Sequence, residues 1–360
     1  MNKKIVKIIS IIMALSLAML TFVACGKDKE YEKSDVTEST TESTTEAPKA
    51  TNINPLTGVA DLSEEAIGAR PVAIMVENSP AARPQWGIST PDVIIEGVVE
   101  GGITRMMWLY ADVTKIPKIG PVRSARHDYV EIAQGMNAIF VHWGGSNLAY
   151  DKISSLGMKD IDGLTDGAYF KRDSSRNSRG TEHTGYTKGD MLAKAITNLK
   201  IDKKATGTDW TMFKVVEDGV RLPFGGASGG AAEVNITYSS SYKYSFKYNV
   251  SENVYYNYIN GSAVKDGNDS KQMAVSNIIV MFSATKTVDG EGHQDWDLSS
   301  GEALWISNGA GEKITWKKGN ANSPLKFYGS DGKELIINKG KTYVGIVPAD
   351  QRENFSIKES

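Results

Sequence analysis

Arginines cluster in the N-terminal half of this chain at spacings that could build an anion site. Arg105 ends the tract Glu100-Gly-Gly-Ile-Thr-Arg105, Arg123 and Arg126 lie in Gly120-Pro-Val-Arg-Ser-Ala-Arg126, and Arg172, Arg176 and Arg179 follow. A guanidinium is a planar fork of donors suited to phosphate and carboxylate. The pattern after Arg123 predicts a helix over 124–135 with Ser124 as N-cap, which would place Arg123 and Arg126 at its positive end. Arg105 is expected on a strand beside that helix start, so Arg105, Arg123, Ser124 and Arg126 are candidate ligand-binding residues. Glu96, Glu100 and Asp128 support a different reading, in which they pair with Arg123 or Arg126 and hold strand to helix. One site can contain both. With His142, the same carboxylates could supply an acid or base beside arginine-stabilised charge.

Other chemistry leaves no sequence trace. There is no H-E-x-x-H and no Walker loop. His127, His142, His183 and His293 are scattered at spacings unlike a zinc motif, and Cys25 is the only cysteine. The glycines of Gly225 to Gly230 lack the G-x-G-x-x-G order of a dinucleotide loop. No metal and no cofactor is expected. The 41 basic and 43 acidic side chains nearly cancel, which argues against a nucleic-acid partner.

The candidate residues need a scaffold. Pro71 to Glu77, Asp92 to Val99, Thr104 to Tyr110 and Ala138 to His142 read as buried strands. Lys188 to Lys200 reads as an amphipathic helix with Met191, Leu192, Ala195, Ile196 and Leu199 on one face. Beyond the glycine-rich stretch Pro223 to Gly230, nearly every segment has period two, and Ser330-Asp331-Gly332 reads as a hairpin turn. The expected fold class is α+β: a mixed α/β domain over 51–222, then a mostly antiparallel β-rich domain over 231–360.

The first fifty residues address the chain. Lys3, Lys4 and Lys7 precede an apolar run from Ile8 to Ala24, so 1–24 reads as a signal peptide closing on Cys25. Small residues before that cysteine resemble a bacterial lipobox, in which the thiol carries diacylglyceryl. Residues 25–50 are rich in Ser, Thr and Glu and read as a solvated tether reaching about 25 to 30 Å. The expected location is extracytoplasmic, lipid-anchored to the outer face of the cell membrane.

Several tracts carry a family resemblance. Asn54-Pro-Leu-Thr-Gly58, Arg70-Pro-Val-Ala-Ile-Met-Val-Glu-Asn78, Ala82-Arg-Pro-Gln85, the tracts ending in Arg105 and Arg126, and His142-Trp-Gly-Gly-Ser146 resemble the DUF3048 family of Gram-positive lipoproteins. Asn277-Ile-Ile-Val280, Ile314-Thr-Trp-Lys-Lys318, Asp331-Gly-Lys-Glu334 and Gly340-Lys-Thr-Tyr-Val-Gly-Ile-Val-Pro348 are similar to its C-terminal region. The chain departs from the family at Glu182-His183-Thr184-Gly185-Tyr186, where a Pro-His-Asn-like turn is expected. The resemblance implies a surface lipoprotein and no particular activity. Two function classes follow: a lipoprotein binding an anionic cell-wall polymer or a protein partner, or an envelope enzyme acting on phosphodiester, pyrophosphate or glycosidic bonds. In residue type alone, Arg105 to Arg126 resembles the pyrophosphate site of wall-polymer ligases of the LytR-CpsA-Psr type.

Overall fold

A computed structural model describes residues 52–206, 209–223 and 230–359. The segments expected to form the signal, lipobox and tether, and most of the glycine-rich stretch, lie outside the described residues. Among these residues, no helix is long and apolar enough to cross a membrane.

The fold is α+β, built on one ten-stranded mixed sheet. Its first five strands are β1 (Val72–Glu77), β2 (Val93–Val98), β3 (Thr104–Tyr110), β4 (Ile139–His142) and β5 (Asp160–Asp162). Between them lie α1 (His127–Gly135) and α2 (Asn147–Leu156), and α3 (Gly189–Asn198) follows. The later segments supply β6 (Glu233–Ser239), β7 (Tyr242–Asn249), β8 (Val254–Ile259) and β9 (Asn277–Ser283). Next come the hairpin strands β10 (Thr285–Thr287) and β11 (Gln294–Trp296), then β12 (Ser300–Ser307) and β13 (Ala310–Lys317). The chain closes with β14 (Lys326–Tyr328), β15 (Thr342–Pro348) and β16 (Phe355–Lys358). Across the large sheet the order is β14-β13-β12-β9-β15-β2-β3-β1-β4-β5.

Strands from both sides of the glycine-rich stretch share this sheet. They meet where β2 pairs in parallel with β15, from Val93↔Thr342 to Gly97↔Ile346. The boundary expected at 223–230 therefore coincides with no break in the sheet. A second sheet joins β8, β7, β6 and β16.

Alternation along the central strands divides the core. Ala73, Met75, Met107 and Leu109 share one apolar cluster with Tyr129, Ile132 and Ala133 of α1 and Ala149 and Ile153 of α2. Val72, Ile74, Val76, Met106 and Trp108 belong to the other, with Leu192 and Ile196 of α3 and Val234, Ile236 and Phe246 of the second sheet. The sheet is thus covered on both faces, which explains why β1 and β3 are buried at every residue.

Two local expectations are corrected. The first helix begins at His127 with Arg126 as N-cap, so Ser124 is not its cap and Arg126 stands before its first turn. The backbone explains the delay: Arg123 N–H donates to Met75 O (3.0 Å), Trp143 N–H to Arg123 O (3.0 Å) and Ala125 N–H to Gly144 O (2.8 Å). Those bonds commit 123–125 to extended pairing. The sequence reading also passed over α2, although Ser146 Oγ accepts from Ala149 N–H and Gly157 closes the helix at φ 58°. At Ser330 to Gly332 the chain does reverse, with Leu335 N–H donating to Phe327 O. The strand after it, Ile336–Ile337, pairs with Lys214–Val215.

Candidate functional site

Strand register creates the first contact of the site. In the β1–β3 pair Glu77 lies directly opposite Arg105, so their side chains share the face covered by α1 and α2. Arg105 is 2% exposed. Its Nη1 donates to Ser124 O (3.0 Å), and its Nη2 lies 3.6 Å from Glu100 Oε1. Arg126 binds the same carboxylate through two nitrogens, with Nε to Glu100 Oε2 at 2.8 Å. Glu100 thus serves two guanidinium groups.

The electrostatics follow from this sharing. Burial pushes the Glu100 carboxyl up, but the Arg126 hydrogen bond and the charges of Arg126 and Arg105 outweigh it and bring the pKa to about 2. Burial, with the neighbouring Arg126 and Arg123 charges, brings Arg105 down to about 10 despite Glu100 and Glu77. Arg105, Arg123 and Arg126 therefore act on one another, as three guanidinium groups against two carboxylates.

Arg123 is the open member. Its Nε lies 3.5 Å from Glu77 Oε2 without forming a hydrogen bond, and its two terminal nitrogens have no hydrogen-bond partner among the described residues. Glu77 is already engaged, accepting from Ser79 Oγ (2.8 Å) and contacting His183 Nδ1 (2.8 Å). The buried Nε of Arg105 also has no acceptor. The cluster thus contains desolvated cationic donors that the protein leaves unpaired, a costly arrangement that a bound anion would relieve.

The remaining candidates stand elsewhere. Glu96 lies opposite Met106, on the second-sheet side, where Asn78 Nδ2 (2.8 Å), Tyr244 Oη (2.7 Å) and Tyr343 Oη (2.8 Å) donate to it. It bonds to these groups rather than to Arg105, Arg123 or Arg126. His142 is fully buried, with Nδ1 at 2.8 Å from Gly144 O and Nε2 at 2.7 Å from Asp160 Oδ2. It clasps β4 to β5 and meets none of Glu96, Glu100 or Asp128. Ser124 contributes its carbonyl, while its Oγ faces Trp143 O at 3.4 Å. Arg176 and Arg179 brace the Ala82–Pro84 turn through backbone carbonyls.

Sequence reasoning missed Glu77 as a partner of the arginines and His183 as the imidazole beside it. It also missed a group that no spacing reveals: one donor atom each from His127, Asp128 and Asp295 lies within 4.8 Å of the other two. Such a set could hold a divalent ion, but Lys286 Nζ already lies 3.4 Å from Asp295 Oδ2 and supplies a cation. Burial, then the Asp295 charge, pushes the Asp128 carboxyl well up.

The fold and cluster define a two-segment α+β protein whose segments share one sheet and whose first segment carries a buried arginine–glutamate group. The family models "Protein of unknown function (DUF3048) N-terminal domain" and "C-terminal domain" match residues 56–202 and 234–344. The chain belongs to the DUF3048 family. It is 33% identical over 306 residues to "Putative lipoprotein YerB" of Bacillus subtilis (strain 168), covering 82% of this chain and 86% of that protein. The crystal structure of YerB from Bacillus subtilis superposes with a TM-score of 0.71 at 29% identity, covering 85% of this chain and 99% of the other.

Proposed function

We propose that this is a lipid-anchored envelope protein that binds an anionic component, a cell-wall polymer or an acidic protein partner, at the Arg105–Arg123–Arg126 cluster. The observation that carries the reading is the open Arg123 fork beside buried Arg105, whose Nε has no acceptor. The anchor rests on Cys25 behind an apolar run and on the lipoprotein name of the Bacillus relative. Diacylglyceryl on Cys25 then supplies the membrane attachment and residues 25–50 the spacing. Of the two function classes, binding is the better supported, because His142 is spent on Asp160 and Gly144 O and is unavailable as the acid or base of the enzymatic alternative.

Arg123→Ala separates a ligand-binding role from a structural one. Its one protein contact is long and Glu77 keeps two other partners, so stability to urea should change by less than about 1 kcal/mol. Binding of a glycerol-phosphate wall polymer should weaken roughly tenfold or more. Unchanged polymer binding by calorimetry, or no binding by the wild type, would overturn the anion reading.

The anchor has its own test. Cys25→Ala should move the protein from the membrane fraction to the medium or the soluble fraction. A variant that still partitions with membranes and still carries diacylglyceryl would defeat the lipoprotein assignment.

A further inference from the structure

A carboxylate of the protein itself lies against His183, the imidazole that contacts Glu77 of this cluster. Thr181 to His183 forms one turn of 3-10 helix after Gly180, whose φ is 107°. The His183 ring, 8% exposed, points Nδ1 inward to Glu77 and leaves Nε2 3.6 Å from Glu182 Oε1. That separation is too long for a hydrogen bond. The Glu182 side chain is 53% exposed. A Cβ at position 180 would fall 2.8 Å from Glu182 Oε2, so glycine there lets the carboxylate fold back across the turn.

The cations beneath it are held independently of it. Arg172 stacks on Trp143, with its guanidinium carbon 4.4 Å from the ring centroid, and its Nη1 donates to Thr181 O (2.6 Å) and lies 3.3 Å from Thr184 Oγ1. Trp143 cannot shift, because Gly163 and Gly185 press against its ring so closely that a Cβ on either would approach within 2.8 Å. His183 is oriented by Glu77, and Arg123 keeps its fork free. Glu182's own backbone N–H, with the charges of His183, Arg123 and Arg172, holds its carboxyl below the usual range.

Resting on the anion-binding reading above, we propose that Glu182 stands in for the ligand's carboxylate, and that Arg123, Arg172 and His183 receive a carboxylate-bearing ligand that displaces it. The group already seated against His183 Nε2, at 3.6 Å, is itself a carboxylate, so the class that replaces it group for group is a planar carboxylate rather than a tetrahedral phosphate. Rigid cations also suit a displacement, since the incoming group does not have to order them. Glu182 then sets affinity by competing for the site.

The test uses the full chain with three probes: N-acetyl-Ala-Ala with a free carboxylate, its C-terminal amide, and glycerol phosphate. Glu182→Gln should tighten binding of the free-carboxylate peptide about tenfold by calorimetry, the effect of one charge-assisted contact, and Arg172→Met should abolish that gain. The amide should bind neither form. An equal or larger gain for glycerol phosphate would overturn the carboxylate assignment, and so would a Glu182→Gln variant that binds none of the probes. If Glu182→Gln changes nothing while Arg123→Ala still weakens wall-polymer binding, the displacement fails and the anion-binding reading stands. Loss of both effects removes both.

Discussion

Glu100→Gln is expected to lower the free energy of urea unfolding by about 3 kcal/mol, the cost of leaving a buried charge without its counterion. The substitution keeps the shape of the side chain and removes only the charge that Arg126 grips through two nitrogens and that Arg105 faces at 3.6 Å. Arg105 cannot turn to water, because it is 2% exposed and stands on the face of β3 that α1 covers. With Glu100 neutral, Arg105, Arg123 and Arg126 would face Glu77 alone.

A dependence on pH accompanies this loss, and its sign follows from the lowered pKa. The folded protein holds the Glu100 carboxyl at about 2, below its unfolded value. The stabilisation is therefore complete above the ordinary carboxylate range near pH 4.3 and disappears as pH falls toward about 2. Glu100→Gln should flatten the acid limb of the stability curve through that window. Urea midpoints measured from pH 6 down to about 2 on both proteins decide the matter. Parallel curves, or a loss below about 1 kcal/mol at neutral pH, would mean that water has access to Arg105 and that the cluster is not desolvated.

The second large effect is expected at Glu96, which joins the two sheets. Its carboxylate is fully buried and accepts from Asn78 beside β1, Tyr244 on β7 and Tyr343 on β15. Glu96→Leu would leave those donors around a methyl group, at a cost of about 3 kcal/mol, reduced where Asn78 turns to Thr104 and Tyr343 to Tyr238. Glu96→Gln should cost far less, since burial already favours the uncharged acid and pushes its pKa up against the Thr104, Tyr244 and Tyr343 hydrogen bonds. For a raised carboxyl the sign reverses: its contribution is favourable at low pH and falls as pH rises through the raised value. The Gln variant should therefore gain on the wild type as the solution becomes more alkaline. If Leu and Gln prove equally mild at pH 7, the hydrogen bonds to Glu96 do not tie the sheets together.

Much of this protein could be read along the chain, and the readable part is local. The all-buried runs 72–77 and 104–110 and the alternating segments of the second half are strands because their own residue order suits a covered or half-covered pleat. The α+β class and the arginine-rich tracts were legible for the same reason. Long-range placement was not. Ser124 reads as a helix cap from its neighbours, yet Met75 and Gly144 on β1 and beside β4 claim the backbone around it and move the helix start to His127. Glu96 and Glu100 look equivalent in sequence, but pleat alternation sends Glu96 to Tyr244 of the second sheet while the turn before β3 delivers Glu100 to the arginines. The opposition of Glu77 and Arg105, the arrival of His183 beside Glu77, and the pairing of β2 with β15 depend on register between distant segments. Register is decided only when both faces of the sheet find their cover, since a slip of one residue would send every buried side chain to the other face. Local residue order set most of the strands and the chemistry they carry; the closing of the sheet set the start of α1 and decided which charges would meet.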